Sequence, residues 1–134
     1  MTQSQALLAG RILIGLLFLV PGVRITMSLP GTVAYFSKLN FPAPELMVWL
    51  AIIIEIGGAV LLAVGWKTRW VSCLLVVFVL VATATAHRFW EFEGGQYENQ
   101  LHHFLKNLAI IGGLLYVIAY GPGAMSVGGR RSSA

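Results

Sequence analysis

The chain is expected to be all-α: a membrane-embedded four-helix up-and-down bundle. Three observations carry this expectation. The 134 residues are 57% hydrophobic and only 10% charged, where a soluble domain carries about 25% charged residues. Mean hydropathy is +0.80. Four apolar stretches, roughly residues 6–23, 46–66, 70–87 and 104–120, each approach the ~20 residues a helix needs to cross a bilayer core. Hydrocarbon offers no partner to a free backbone group, so each stretch must be helical. Short connections then make consecutive helices antiparallel neighbours. One domain, 1–134, accounts for the whole chain, with contact to lipid on all sides.

The first span begins near Ala6 and is interrupted by Arg11. A signal peptide is not expected, because the first five residues carry no Lys or Arg and no small-residue cleavage site follows. The connection from Arg24 to Glu45 contains Pro30-Gly31 and Phe41-Pro42-Ala43-Pro44, and residues 32–39 alternate at near-helical spacing. A short helix lying on the membrane surface is expected there, with Pro44 in the first turn of the second span. Lys67-Thr68-Arg69 makes a tight turn into the third span. The stretch from Arg88 to His103 is polar and acidic with Gly94-Gly95, and a flexible lid is expected. The Gly- and Ser-rich tail, 121–134, is expected to be poorly ordered.

Orientation follows from counting Lys and Arg on the two sides. Lys67, Arg69, Arg130 and Arg131 stand against Arg24, Lys38 and Arg88. That balance places both termini in the cytoplasm, in a multi-pass protein of a bacterial plasma (inner) membrane. The net charge of +4 comes from single residues at the ends of apolar runs, not from a basic patch, so no nucleic-acid partner is expected.

Inside the apolar runs the polar residues carry the functional information. Glu55 lies at the middle of its span, where an ionised carboxylate costs roughly 2.5–3.5 kcal/mol on insertion scales. Arg11 is the expected partner in a buried ion pair, which either fixes helix register or tunes a proton-exchanging carboxyl. A second cluster gathers where the third and fourth spans meet the surface. Thr83, His87 and Trp90 share one helical face, and His103, Lys106 and Asn107 another. His87, His103, Lys106 and Asn107 are the candidate ligand-binding residues. Asn107 lies about a turn inside and needs hydrogen-bond partners. Cys73 is the one cysteine. No C-x-x-C-H, P-loop or nucleophile elbow is present, so neither a metal site nor a covalent cofactor is expected. The glycines within the spans are expected to serve close helix packing.

Taken in order, these motifs resemble the DoxX family of small four-helix membrane proteins. The first span carries Arg11, Gly15, Phe18 and Gly22. The connection carries Tyr35-Phe36, Leu39 and Pro42-Ala43-Pro44, and the second span Glu55, Gly58, Gly65 and Thr68-Arg69. His87-Arg88-Phe89-Trp90 is similar to the family's H-x-F-W, and the fourth span opens Phe104-Leu105-Lys106-Asn107-Leu108-Ala109. Two features depart from the pattern. Arg24 stands out of register with the family's lysine after the first span, and Ser126-Val127-Gly128 replaces a terminal Ser-x-Asp. The resemblance implies redox at the membrane: thiosulfate oxidation coupled to quinone, quinone and catechol resistance, or redox-stress complexes with soluble partners. The reading is therefore a redox-associated subunit that binds quinone or a similar small aromatic. Lys106 and Asn107 would hold a carbonyl oxygen, His87 or His103 would move protons, and a redox partner would supply electrons. Catalysis by the chain alone is left open, and a homo-oligomer is compatible. Two alternatives stand beside it: a small-solute or ion carrier, and an assembly or anchor subunit without chemistry.

Overall fold

Residues 1–129 are described by a computed structural model. The elements are α1 (Gln3–Met27), α2 (Leu29–Lys38), α3 (Pro44–Val64), α4 (Thr68–Ala86), a 3-10 turn (Phe89–Glu91) and α5 (Gly94–Tyr120). No strand occurs among the described residues. Helices α1, α3, α4 and α5 are each long and apolar enough to span a membrane, and they form the expected bundle. Around it α1 packs on α3, α3 on α4, α4 on α5 and α5 on α1, while α2 lies against α3.

Each spanning helix buries one narrow stripe. On α1 the buried residues are Arg11, Gly15, Phe18 and Gly22, a 4-3-4 spacing that keeps one face toward its neighbours. On α5 they are Asn107, Ile110, Leu114 and Val117. The remaining faces carry large apolar side chains outward, and Leu13, Ile53, Val77 and Tyr116 are each more than half exposed. Such a surface suits lipid and would be an aggregation hazard in water. Trp66, Trp70 and Tyr120 stand exposed at one end, Trp90 and Tyr97 at the other, as interfacial aromatic belts do. Without a hydrophobic drive between helices in lipid, close approach must supply the packing energy. Glycines permit it: a Cβ on Gly15 would lie 3.2 Å from the Ala59 carbonyl oxygen, and one on Gly58 would press into Leu75 at 2.8 Å.

Three expectations need correction. Residues 94–103 are not a flexible lid but the first turns of α5, which is begun by Gly94 at φ 60°. Their polarity hides them from a hydropathy reading, and the helix stands proud of the apolar zone. The surface helix runs Leu29–Lys38, started by Pro30 in its first turn, rather than over 32–39. The tail is ordered over 121–129. The Val127 amide donates to the Val64 carbonyl and the Gly128 amide to that of Gly65, both at 3.0 Å, while residues 130–134 lie outside the described residues.

Gly15→Leu should force α1 from α3 and destabilise the bundle by about 1–3 kcal/mol, the usual range for overpacking. Thermal unfolding in detergent, set against Gly57→Leu at a position open around its Cα, measures the difference.

Candidate functional site

Helix ends explain where Arg11 goes. The last four carbonyls of α3 have no partner within the helix, and water is not at hand inside the bundle. Gly65, at φ 76°, ends the helix in a Schellman arrangement: its amide reaches Leu61 and Leu62, and the Trp66 amide reaches Leu61. Arg11 Nη1 donates to the Leu62 carbonyl at 2.9 Å and the Ala63 carbonyl at 3.2 Å, and Val127 takes Val64. All four carbonyls are thereby satisfied. Arg11 Nη2 donates to the Met125 carbonyl at 2.7 Å, so one guanidinium joins α1, the end of α3 and the tail. The negative end of the α3 dipole supplies its counter-charge. Arg69 repeats the theme more loosely, 3.5 Å from the Ala119 carbonyl at the end of α5.

The expected Arg11–Glu55 ion pair is therefore not formed. Glu55 packs beside Gly22, whose Cβ would lie 3.1 Å from that of Glu55. Arg11 stands eleven residues away along α1, about 16 Å at 1.5 Å per residue, beyond its reach. Among the described residues the ion pair present is Arg88–Glu91, 2.9 Å apart at the surface. Glu55 is 7% exposed, and its Oε2 is buried without a hydrogen-bond partner.

What Glu55 does face is a cavity. A space of about 360 Å³ lies between α2, α3 and α4, lined by Tyr35, Phe36, Phe41 and Phe78 with Leu, Val and Ala side chains, and Glu55 is its one charged residue. Its size is at the small end of ligand pockets, about 300–1,000 Å³. Helix α2 brings Tyr35 and Phe36 over it, and Phe36 lies 5.2 Å from Phe41, ring centre to ring centre. A second, polar space of about 350 Å³ adjoins it. The two share Tyr35, Leu39, Thr85 and Ala86, and the outer one adds Arg88, Glu91, Gln96, Asn99 and Gln100. The pair forms a polar vestibule leading to an apolar chamber with one carboxyl.

The four candidate ligand residues are brought together, but elsewhere. Asn107 Nδ2 donates to Thr83 Oγ1 at 2.9 Å, and Thr83 donates to the Val79 carbonyl at 2.7 Å. One turn outward, His87 and His103 stack with ring centres 4.9 Å apart, and Lys106 Nζ lies 3.3 Å from His103 Nδ1. This ladder holds α4 to α5, and none of the four residues lines either cavity. Trp90 leaves the face it was expected to share, because α4 ends at Ala86. Instead it packs with Phe89 and Phe104. Gln100 connects ladder and vestibule: it lines the latter, and its Oε1 is 2.9 Å from His87 Nδ1. Nothing in the sequence pattern singled out Gln100, which lies in the polar stretch read as a lid. Of the cavity aromatics, Tyr35 and Phe36 were legible as family motif residues without their purpose, and Phe41 and Phe78 were not.

A four-span bundle with a lipid-facing surface and a buried carboxyl defines a multi-pass integral membrane protein. The DoxX family profile matches residues 6–88, and the chain belongs to that family. It is 32% identical to inner membrane protein YphA of Escherichia coli over 92% of this chain and 89% of that one. It is also 33% identical to inner membrane protein YqjF of the same species over 93% and 91%. The ER-derived vesicles protein ERV29 of Saccharomyces cerevisiae is 30% identical over 93% of this chain, which spans 33% of that longer protein. No solved structure matches.

Arg11→Ala should leave the Ala63 carbonyl bare, take one of two donors from Leu62 and cost about 3 kcal/mol or more, since hydrogen bonds to charged groups contribute about 1.5–3 kcal/mol each. Hydrogen exchange at the Val127 and Gly128 amides should accelerate as the tail undocks. For the ladder, a double-mutant cycle of Thr83→Val with Asn107→Leu should return a coupling of about 1 kcal/mol, the scale of interhelical hydrogen bonds in membranes.

Proposed function

We propose that this protein is a redox-associated subunit of a bacterial inner membrane that binds quinone or a similar small aromatic between α2, α3 and α4. The observation that carries the reading is the aromatic-walled cavity of about 360 Å³ with one carboxyl at its wall and a polar vestibule outside. A flat ring fits apolar walls, and a ring oxygen needs one polar group to orient it; Glu55, in its protonated form, supplies that group by donating to the oxygen. The family's link to quinone chemistry supports the choice of ligand. The inner-membrane relatives support the location, and the lysine and arginine count supports a cytoplasmic side for both termini.

Quinol oxidation releases protons, so titratable groups must stand near the ring without filling its place. His87 suits that task, because Gln100 joins it to the vestibule; His103 stacks on His87, and Lys106 stands beside His103. Asn107 positions α5 through Thr83. Lys106 and Asn107 thus act on the ring at one remove rather than holding its carbonyl. Arg11 holds the bundle closed at the opposite end. The chain carries no electron carrier motif, so a soluble or membrane redox partner would supply or take electrons.

Purified protein in detergent should bind a short-chain benzoquinone in a calorimetric titration. Ala82→Phe, which fills the cavity wall, should weaken binding at least about 10-fold, the effect of a lost apolar site worth 1.4 kcal/mol or more. Lys106→Ala should bind with wild-type affinity within about 3-fold, since it lines neither space. Unchanged binding in a well-folded Ala82→Phe protein overturns the location, and absence of binding in the wild type overturns the reading.

A further inference from the structure

Among the described residues the Glu55 carboxyl has no counter-charge. Arg11 is committed to two carbonyls at the far end of α3 and to that of Met125 in the tail. Among the described residues no Lys, Arg or His lines the inner chamber. Arg88, the cation of the vestibule, is paired with Glu91 at 2.9 Å. A buried carboxyl without a partner either holds its proton or, when ionised, takes a counter-charge from outside the described residues.

The chamber around Glu55 is built to receive such a charge. Tyr35, Phe36, Phe41 and Phe78 line it together with Glu55. Phe36 stands 5.2 Å from Phe41 and 6.3 Å from Tyr35 between ring centres, so the rings form a continuous wall rather than scattered contacts. Aromatic faces attract a cation through their quadrupole, most strongly where water is excluded. An ionised carboxylate accepts but cannot donate. Aromatic walls and one carboxylate together select a ligand with an apolar body and a cationic head carrying N–H donors.

The geometry points to a lipophilic ammonium cation as a ligand of the α2–α3–α4 cavity, its nitrogen held by the Glu55 carboxylate and the aromatic wall. The size of the cavity, about 360 Å³, limits the body to one ring with a short chain. Entry from the vestibule passes Glu91, whose carboxylate keeps Arg88 neutralised at the mouth. This assignment concerns the same cavity as the quinone reading but a different ligand, so the two stand or fall separately.

The test compares 2-phenylethylammonium with its uncharged isostere 2-phenylethanol by calorimetric titration of the purified full chain in detergent. The ammonium should bind at least about 10-fold tighter, since a charge-assisted bond is roughly twice as strong as a neutral one. Glu55→Gln should bring that preference to within about 2-fold, because its amide bears no charge. Phe36→Leu and Phe78→Leu, which leave the carboxyl in place, should each reduce ammonium affinity about 3-fold more than alcohol affinity. Equal binding of the two probes by the wild type overturns the proposal, as does a preference that survives Glu55→Gln. The wild-type comparison decides the matter even if a variant does not fold. Ammonium binding without quinone binding removes the quinone reading and keeps this one; the reverse result removes this one alone.

Discussion

A helix that ends inside a membrane protein must find donors for its last carbonyls without the help of water. In this bundle the demand is met by Arg11. Its guanidinium closes the α3 terminus through Leu62 and Ala63 and reaches on to Met125, while Gly65 leaves room for it. A Cβ on Gly65 would collide with Arg11 and Ser126 at once. The register of α1 against α3 follows from this contact. Once Arg11 is set at Leu62, Gly15 meets Ala59 and Gly22 meets Ile56 and Glu55. The tail follows too, because it is held by Arg11 and by the two carbonyls beyond it.

Fixing Arg11 there leaves Glu55 without a charged partner among the described residues. The two charged residues that interrupt the first two spans have separate roles. Arg11 gives its two terminal nitrogens to backbone carbonyls, leaves Nε unpartnered and is buried in the packing, 1% exposed. Glu55, two turns further from that end of α3, opens onto a cavity and makes no hydrogen bond at Oε2. A polar group left unsatisfied in a low-dielectric setting is costly, and such groups concentrate at functional sites in membrane proteins. The α4–α5 ladder shows the opposite economy, with Asn107 and Thr83 satisfying each other and a backbone carbonyl.

Legibility in the sequence tracked the physics of each feature. Four runs of apolar residues announced four spanning helices, because hydrocarbon contact demands composition before anything else. Pro44 marked the start of α3 correctly, since proline suits the first turn, whereas Pro30, read as lying ahead of the surface helix, stands in the first turn of α2. The start of α5 was hidden, because Gly94 to His103 reads as a polar loop although it is helical. The ordered tail was hidden for a different reason: backbone amides of Val127 and Gly128 dock it, and backbone leaves no compositional trace. The same holds for Arg11. A sequence shows a lone Arg and a lone Glu and invites their pairing, whereas carbonyl acceptors are present at every residue and draw no notice. The polar pairs between α4 and α5 were readable from helical spacing. The cavity, which depends on where α2 lies down, was not.

The separation of roles between Arg11 and Glu55 is open to one direct measurement. A diffraction structure of the protein with a bromine-substituted benzoquinone would locate the ring by its anomalous signal. The bromine peak should lie between α2, α3 and α4, with a ring oxygen in hydrogen-bonding distance of the Glu55 carboxyl and Arg11 still on the Leu62 and Ala63 carbonyls. A peak beside Lys106, or a direct Arg11–Glu55 ion pair in the bound protein, would contradict that separation.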